Sequence, residues 1–98
     1  MNNKDIIARL VLVRDILRIP RAKIATLLNV DYQYLRKVET NKRNSNSLIL
    51  KYLNLYATLD VDINIFFQKN YNLQNLNLEK SRKKLKILME DRDFIFIS

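Results

Sequence analysis

The sequence contains no glycine and a single proline, Pro20. Wherever the backbone must turn left-handed, a residue carrying a Cβ has to take the position, and asparagine is the best substitute. Asn29 and Asn41 stand where two short helical patterns break off, and they are the predicted left-handed stops. The lack of glycine also rules out a glycine-rich loop that cradles phosphate. Cys and His are missing too, which removes disulfides, thiolate metal sites, the cysteine nucleophile, the commonest general base and the commonest zinc ligand. The expectation is a protein that is not an enzyme and has no metal and no cofactor.

Hydrophobic spacing is helical from the start. Ile6, Leu10, Val13 and Leu17 recur at intervals of four, three and four, the stripe of an amphipathic helix. Asn2 or Asn3 can cap it, and Arg18 near its end suits the helix dipole. Pro20 is read as the first residue of a second helix, where a missing N–H costs nothing. That helix buries Ile24, Ala25 and Leu28 and stops at Asn29. Asp31 is the predicted N-cap of a third helix whose inward residues are Leu35 and Val38. A polar loop follows over residues 40–47, with Ser45 or Ser47 capping a fourth helix near residues 48–59. Its apolar arc is wide, with Ile49, Tyr52, Leu53 and Tyr56 on one side and Leu48, Leu55 and Leu59 beside them. A stripe so broad implies burial against more than one neighbour. Asp62 then caps a short helix containing Ile63, Phe66 and Phe67.

Beyond Gln68 the chain changes character. Residues 70–77 are rich in Asn, and residues 79–91 read as a helix with Leu78, Leu85, Leu88 and Met89 at compatible spacing and Lys80, Arg82, Lys83 and Lys84 outward. Phe94, Ile95, Phe96 and Ile97 form a short apolar run, either a strand or a docking tail. There is no internal repeat and no Pro/Gly/Ser linker. The predicted fold class is all-α, with residues 1–69 as one domain and residues 70–98 as a C-terminal helical arm ending in an apolar tail.

A net charge of +8 on 98 residues points to an anionic partner, most often nucleic acid. Residues 1–60 hold 11 Lys/Arg against 5 Asp/Glu and residues 61–98 hold 7 against 5, so the excess belongs to the first part. The apolar run of residues 10–13 is short and flanked by Arg9 and Arg14, which argues against a signal peptide, and no window is long enough to span a bilayer. The expected location is cytoplasmic, with no membrane partner.

One stretch carries a specific pattern. Ile24 and Ala25, then Leu28, Asn29 and Val30, then Leu35, then residues 38–43 (VETNKR), and Asp60, Val61 and Asp62 as a close, make residues 5–67 similar to the phage repressor/Cro group, the XRE-type helix-turn-helix family. Asn29 and Asn41 replace residues that are usually Gly there, and Ser45 and Asn46 lie near a frequent Pro. The resemblance implies a five-helix lambda-repressor-like domain in which residues 21–28 form the first helix of the motif and residues 31–38 the recognition helix that enters the major groove. It implies base reading by Tyr32, Gln33 and Lys37, with Arg36 beside them, since Gln pairs bidentately with adenine and Lys or Arg with guanine. It assigns Arg21, Lys42 and Arg43 to the DNA backbone, helped by Lys23 and Tyr34, and places Arg14 and Glu39 in a structural ion pair.

Plainer readings stand beside these. Tyr34 can simply roof the core, Lys80 to Lys86 reads better as a solvated face than as a second DNA contact, and Asp60, Asp62, Glu90, Asp91 and Asp93 read as caps and surface charge. The resemblance implies a sequence-specific transcriptional regulator, a dimeric repressor on a palindromic operator in double-stranded DNA, of bacterial, phage or plasmid origin. It leaves room for a protein or peptide antagonist. The arm, residues 73–97, is the preferred dimer surface over helix four, and the rival has the tail folding back on its own domain. The alternative function is a protein-interaction adaptor or antitoxin-like module. The two separate on whether Arg21, Arg36, Lys37, Lys42 and Arg43 form one basic surface with Gln33.

Overall fold

The computed structural model describes residues 2–69, 73 and 76–97, with side chains through residue 90. Five α-helices follow in chain order: α1 (Asn3–Ile16), α2 (Arg21–Leu28), α3 (Tyr32–Glu39), α4 (Asn46–Thr58) and α5 (Leu78–Ile97), with a 3₁₀ turn at Ile63–Phe66 before the last. There is no strand among the described residues. Side-chain caps open most of them. Asn2 accepts from the Asp5 N–H, Asp31 from Tyr34, Ser45 from Leu48 and Asp62 from Asn64. Each cap satisfies one of the donors that a helix start leaves unpaired. The second helix is the exception. Pro20 sits just outside it as the N-cap, extended at ψ 150°, and gives no side-chain cap.

The ends of α1 to α4 share one device. Arg18, Asn29, Asn41 and Asp60 all have φ between 55° and 62°. In each case the next residue donates its N–H back five residues: Ile19 to Arg14, Val30 to Ala25, Lys42 to Lys37 and Val61 to Tyr56, at 2.8–3.1 Å. This is the left-handed C-terminal cap that usually employs glycine, with an apolar residue just beyond it to seal the end. Ile19 and Val61 are buried and Val30 is half-buried. At the end of α3 the sealing position is held by Lys42, which is exposed. Asparagine meets the glycine-free requirement at two of the four ends, and Arg18 and Asp60 meet it at the others.

Leu10, Val13, Ile24, Leu35, Leu48, Tyr52, Tyr56, Leu59 and Phe66 are fully or almost fully buried. α4 packs on α1, α2 and the 3₁₀ turn, which accounts for its wide apolar arc. Tyr56 stacks on Phe66 at 5.4 Å and donates its hydroxyl to the Leu10 carbonyl at 2.6 Å, so a buried phenol is satisfied. Arg9 donates to the carbonyls of Ile65, Gln68 and Lys69, which ties the segment after the 3₁₀ turn to α1.

The last helix differs from expectation in two ways. It runs on through residues 94–97, so the apolar run predicted as a strand or tail is helical in its backbone. No Gly or Pro interrupts it after Leu78. Its first half also docks on its own domain: Ser81 and Leu85 are buried, and Leu78, Leu88 and Met89 pack against the same core. Lys80 and Lys84 both reach Asp60 Oδ2, at 3.3 and 2.5 Å, and Arg82 Nη2 donates to the Ile16 carbonyl at 3.1 Å. Lys80 and Lys84 are exposed, as expected of a solvated face, and each also pairs with Asp60. The side chains of Phe94, Ile95, Phe96 and Ile97, on which the preference for the arm as dimer surface rested, lie outside the described residues. No helix among the described residues is long and apolar enough to cross a membrane.

Candidate nucleic-acid interface

α2 and α3 are joined by Asn29, Val30 and Asp31 alone, and α3 packs on α2 and α1. Leu35, Val38 and Glu39 point inward from α3 and are buried. Gln33, Arg36 and Lys37 lie on the opposite flank, all exposed; Tyr32, also exposed, sits two turns before Glu39 on its side of the helix, beside Arg21. Gln33 is three residues from Arg36 and four from Lys37, so the three share one face. Tyr32, at 41% exposure, is among the most exposed large apolar side chains of the molecule. Nothing described from α5 covers this flank.

The cations expected on the DNA backbone lie at the start of α2 and just past the end of α3, two points that the bond from Arg21 to Glu39 brings together. Lys42 follows α3 directly through the bond from its N–H to the Lys37 carbonyl. Arg43 lies over the Tyr34 ring, 4.8 Å from its centroid. Tyr34 is half-buried and packed against the core, and its hydroxyl bonds to Ser45 Oγ, the atom that caps α4. Tyr34 thus roofs the core and braces the loop that carries Lys42 and Arg43. Arg21 and Lys23 stand in the first turn of α2, where Pro20 leaves the opening N–H groups without a side-chain acceptor. A helix start of that kind favours an anion.

Beneath the flank lies a buried charge cluster. Glu39 Oε1 accepts from Arg14 Nη2 at 2.9 Å and from Arg21 Nε at 2.8 Å, and Tyr52 donates its hydroxyl to Oε2. The Glu39 side chain is 1% exposed, Arg14 7% and Arg21 27%. Arg14 also donates to the Ile19 carbonyl at 3.0 Å, and among the described residues its Nε has no partner. The predicted pair of Arg14 and Glu39 is in place, within a larger cluster. Arg21, expected only as a phosphate contact, is held by its Nε, and that bond to Glu39 is the main reason its guanidinium is even harder to deprotonate than usual. Burial, more than the nearby charges, pushes the Tyr52 hydroxyl far above the normal phenol range and does the same to Tyr56. Both remain donors at any ordinary pH.

Sequence reasoning missed the second and third arms of this cluster. Tyr52 reads as an apolar member of a wide stripe, and only its depth reveals that its hydroxyl must find an acceptor. The signal that could have found it is the lone buried carboxylate, which needs more donors than one arginine supplies. No group of three or more His, Cys, Asp or Glu able to hold a metal occurs among the described residues. Compared with family models, curated proteins and solved structures, the chain matches none.

Proposed function

We propose that this protein is a sequence-specific DNA-binding regulator built on a lambda-repressor-like helix-turn-helix of the XRE type. The observation that carries the reading is the division of α3, a helix buried along Leu35, Val38 and Glu39 and bare along Gln33, Arg36 and Lys37, with Tyr32 exposed at its start. A helix with so few inward residues is held by its neighbours and presents hydrogen-bonding side chains outward, as a helix that enters a major groove must. Gln33 suits adenine, Arg36 and Lys37 suit guanine, and Tyr32 suits a thymine methyl or a phosphate. Lys42, Arg43, Lys23 and the outer guanidinium nitrogens of Arg21 grip the backbone on either side and set the register. Arg21 bonds Glu39 at the end of α3, and Lys42 and Arg43 follow that same end directly, which supports a DNA partner over an adaptor role.

Occupancy of an operator that overlaps a promoter would make the protein a repressor. Pairing on a two-fold site would set half-sites about one helical turn, ~34 Å, apart. Ser81 and Leu85 face their own domain, so pairing would use what α4 and α5 leave outside, where Leu50 and Ile87 are 61% and 58% exposed. Selection of bound sequences from random duplex DNA tests the reading. Gln33→Ala should relax the preference at one position by roughly 1–3 kcal/mol, and Lys42→Ala should weaken all sequences alike and lower the salt slope by about 1. Equal losses from both variants on every duplex, or no enriched sequence, would refute it.

A further inference from the structure

Five cations lie between Lys80 and Lys86 on α5, and their surroundings divide them. Lys80 and Lys84 are taken by Asp60, and Lys83 pairs with Glu79 at 3.6 Å. Arg82 and Lys86 stand one turn apart on another face of the helix, both exposed, and neither has a carboxylate partner among the described residues. Arg82 is fixed at its root by the bond from Nη2 to the Ile16 carbonyl, at the C-terminus of α1, where the helix dipole favours a cation. That bond uses one of five N–H donors, and the residue is exposed. Two residues further along, Arg18 is also exposed, and its side chain makes no hydrogen bond or ion pair among the described residues.

The connection formed by residues 17–20 is pinned from its other side as well. Arg14 bonds the Ile19 carbonyl, and Arg14 and Arg21 together hold Glu39 at the end of α3. Contacts therefore run unbroken from the end of α3, through Arg21 and the connection, to Arg82 on α5. We propose that Arg18, Arg82 and Lys86 form a second phosphate grip, which holds the duplex backbone outside the base pairs that α3 reads. This rests on the DNA-binding reading and extends it to the last helix. A helix-capping role alone explains Arg82 but not Lys86, which is exposed and makes no hydrogen bond or ion pair among the described residues, nor Arg18, whose side chain is exposed.

The test uses the full chain, a duplex selected by the wild type, and a second duplex of the same sequence trimmed to the base pairs read. Lys86→Gln removes charge without removing any described contact, so it keeps the test independent of folding. Arg82→Gln accompanies it, with Lys83→Gln as the control on the Glu79 side and Lys42→Gln as the comparator beside α3. Lys86→Gln and Arg82→Gln should each lower the salt slope by about 1 and weaken the longer duplex roughly fivefold near physiological salt. Base preference and binding to the trimmed duplex should not change, and Lys83→Gln should match the wild type. Wild-type slopes for Lys86→Gln and Arg82→Gln, beside a lowered slope for Lys42→Gln, would overturn the grip and leave the reading of α3 intact. If the wild type selects no sequence and Lys42→Gln binds duplexes as the wild type does, both fall together. Loss of binding to an acidic protein surface, with duplex binding unaltered, would assign the face to a protein and also overturn the grip.

Discussion

Glu39 and Asp60 each sit between two cations: Arg14 and Arg21 at the end of α3, Lys80 and Lys84 across the end of α4. The Glu39 side chain is 1% exposed and the Asp60 side chain 34%, and that difference changes what the same arrangement does. Around Glu39 the partners are arginines, whose planar fork holds its geometry and tolerates partial burial, and a tyrosine hydroxyl supplies a third donor. Around Asp60 the partners are lysines, compact and well hydrated on flexible stems. A buried carboxylate has no water to fall back on, so its partners are obligatory for the fold. An exposed one keeps water as an alternative, so its partners only bias where α5 rests. The first cluster fixes the end of the helix that carries Gln33, and the second fastens the helix that carries Arg82.

The contrast is broken most directly at Glu39. Glu39→Gln leaves Arg14 as a buried charge without its counterion and should cost about 3–5 kcal/mol. For a domain of this size that lowers the melting temperature by more than about ten degrees. Urea denaturation checks the free energy. A loss below about 1 kcal/mol would place the cluster in the same class as the exposed one. Tyr52→Phe is milder, because it deletes one donor and leaves both arginines. A hydrogen bond to a charged group is worth about 1.5–3 kcal/mol, and the loss should fall in that range and below that of Glu39→Gln. A further consequence concerns alkali. The Tyr52 hydroxyl is held far above its unfolded value near 10, so its contribution is complete below that pH and is lost as the pH rises beyond it.

How far these features can be read from residue order follows the same line. Asn29 and Asn41 are legible as left-handed stops because Asn tolerates that backbone, and Asp31 and Ser45 as caps because their short side chains reach back to the chain. The pair of Arg14 and Glu39 is legible only through a family resemblance, since the spacing carries no rule for it. Arg18 and Asp60 take the same left-handed conformation with residue types that do not announce it. Their signal lies one position later, in Ile19 and Val61, apolar residues just past a helix stripe that seal its end. The lysine clasp on Asp60 was not legible, because it joins segments twenty or more residues apart and an exposed ion pair imposes no pattern. The bare flank of α3 was legible as polar residues on one side of a thin stripe, and what it binds is set by chemistry that residue order alone only suggests.

Arg18 offers a change in the opposite direction. An ordinary residue in the left-handed region costs roughly 1–2 kcal/mol, and glycine avoids this at about 0.5–1 kcal/mol of extra chain entropy. Arg18→Gly should therefore raise stability by about 0.5–1 kcal/mol, whereas Asn41→Gly should gain less because Asn already accepts the conformation. Thermal unfolding of the two variants side by side checks the order. A destabilised Arg18→Gly would mean that its side chain holds the fold and is not available outside it.

The smallest effect is expected at Asp60, and it is the most informative about α5. Asp60→Asn keeps a side chain that accepts φ near 60°, so the substitution removes charge and leaves the backbone cap in place. Its cost in global stability should be small, as for other exposed ion pairs. Local opening is the better readout, because Leu85 and Ser81 still hold α5 by burial while the clasp at its start is gone. Hydrogen exchange should therefore quicken at the amides of residues 80–85 and stay unchanged in α3. The hydrogen bond from Lys84, and then that from Lys80, holds the Asp60 carboxyl below the usual carboxylate range. Its contribution is thus present above the unfolded value near 4 and lost as the pH falls through the lower folded value. Acidifying the wild type should reproduce the exchange pattern of Asp60→Asn in that window, and Asp60→Asn itself should not respond there. If acid opens residues 80–85 equally in both proteins, the clasp is idle and apolar contact alone seats the helix.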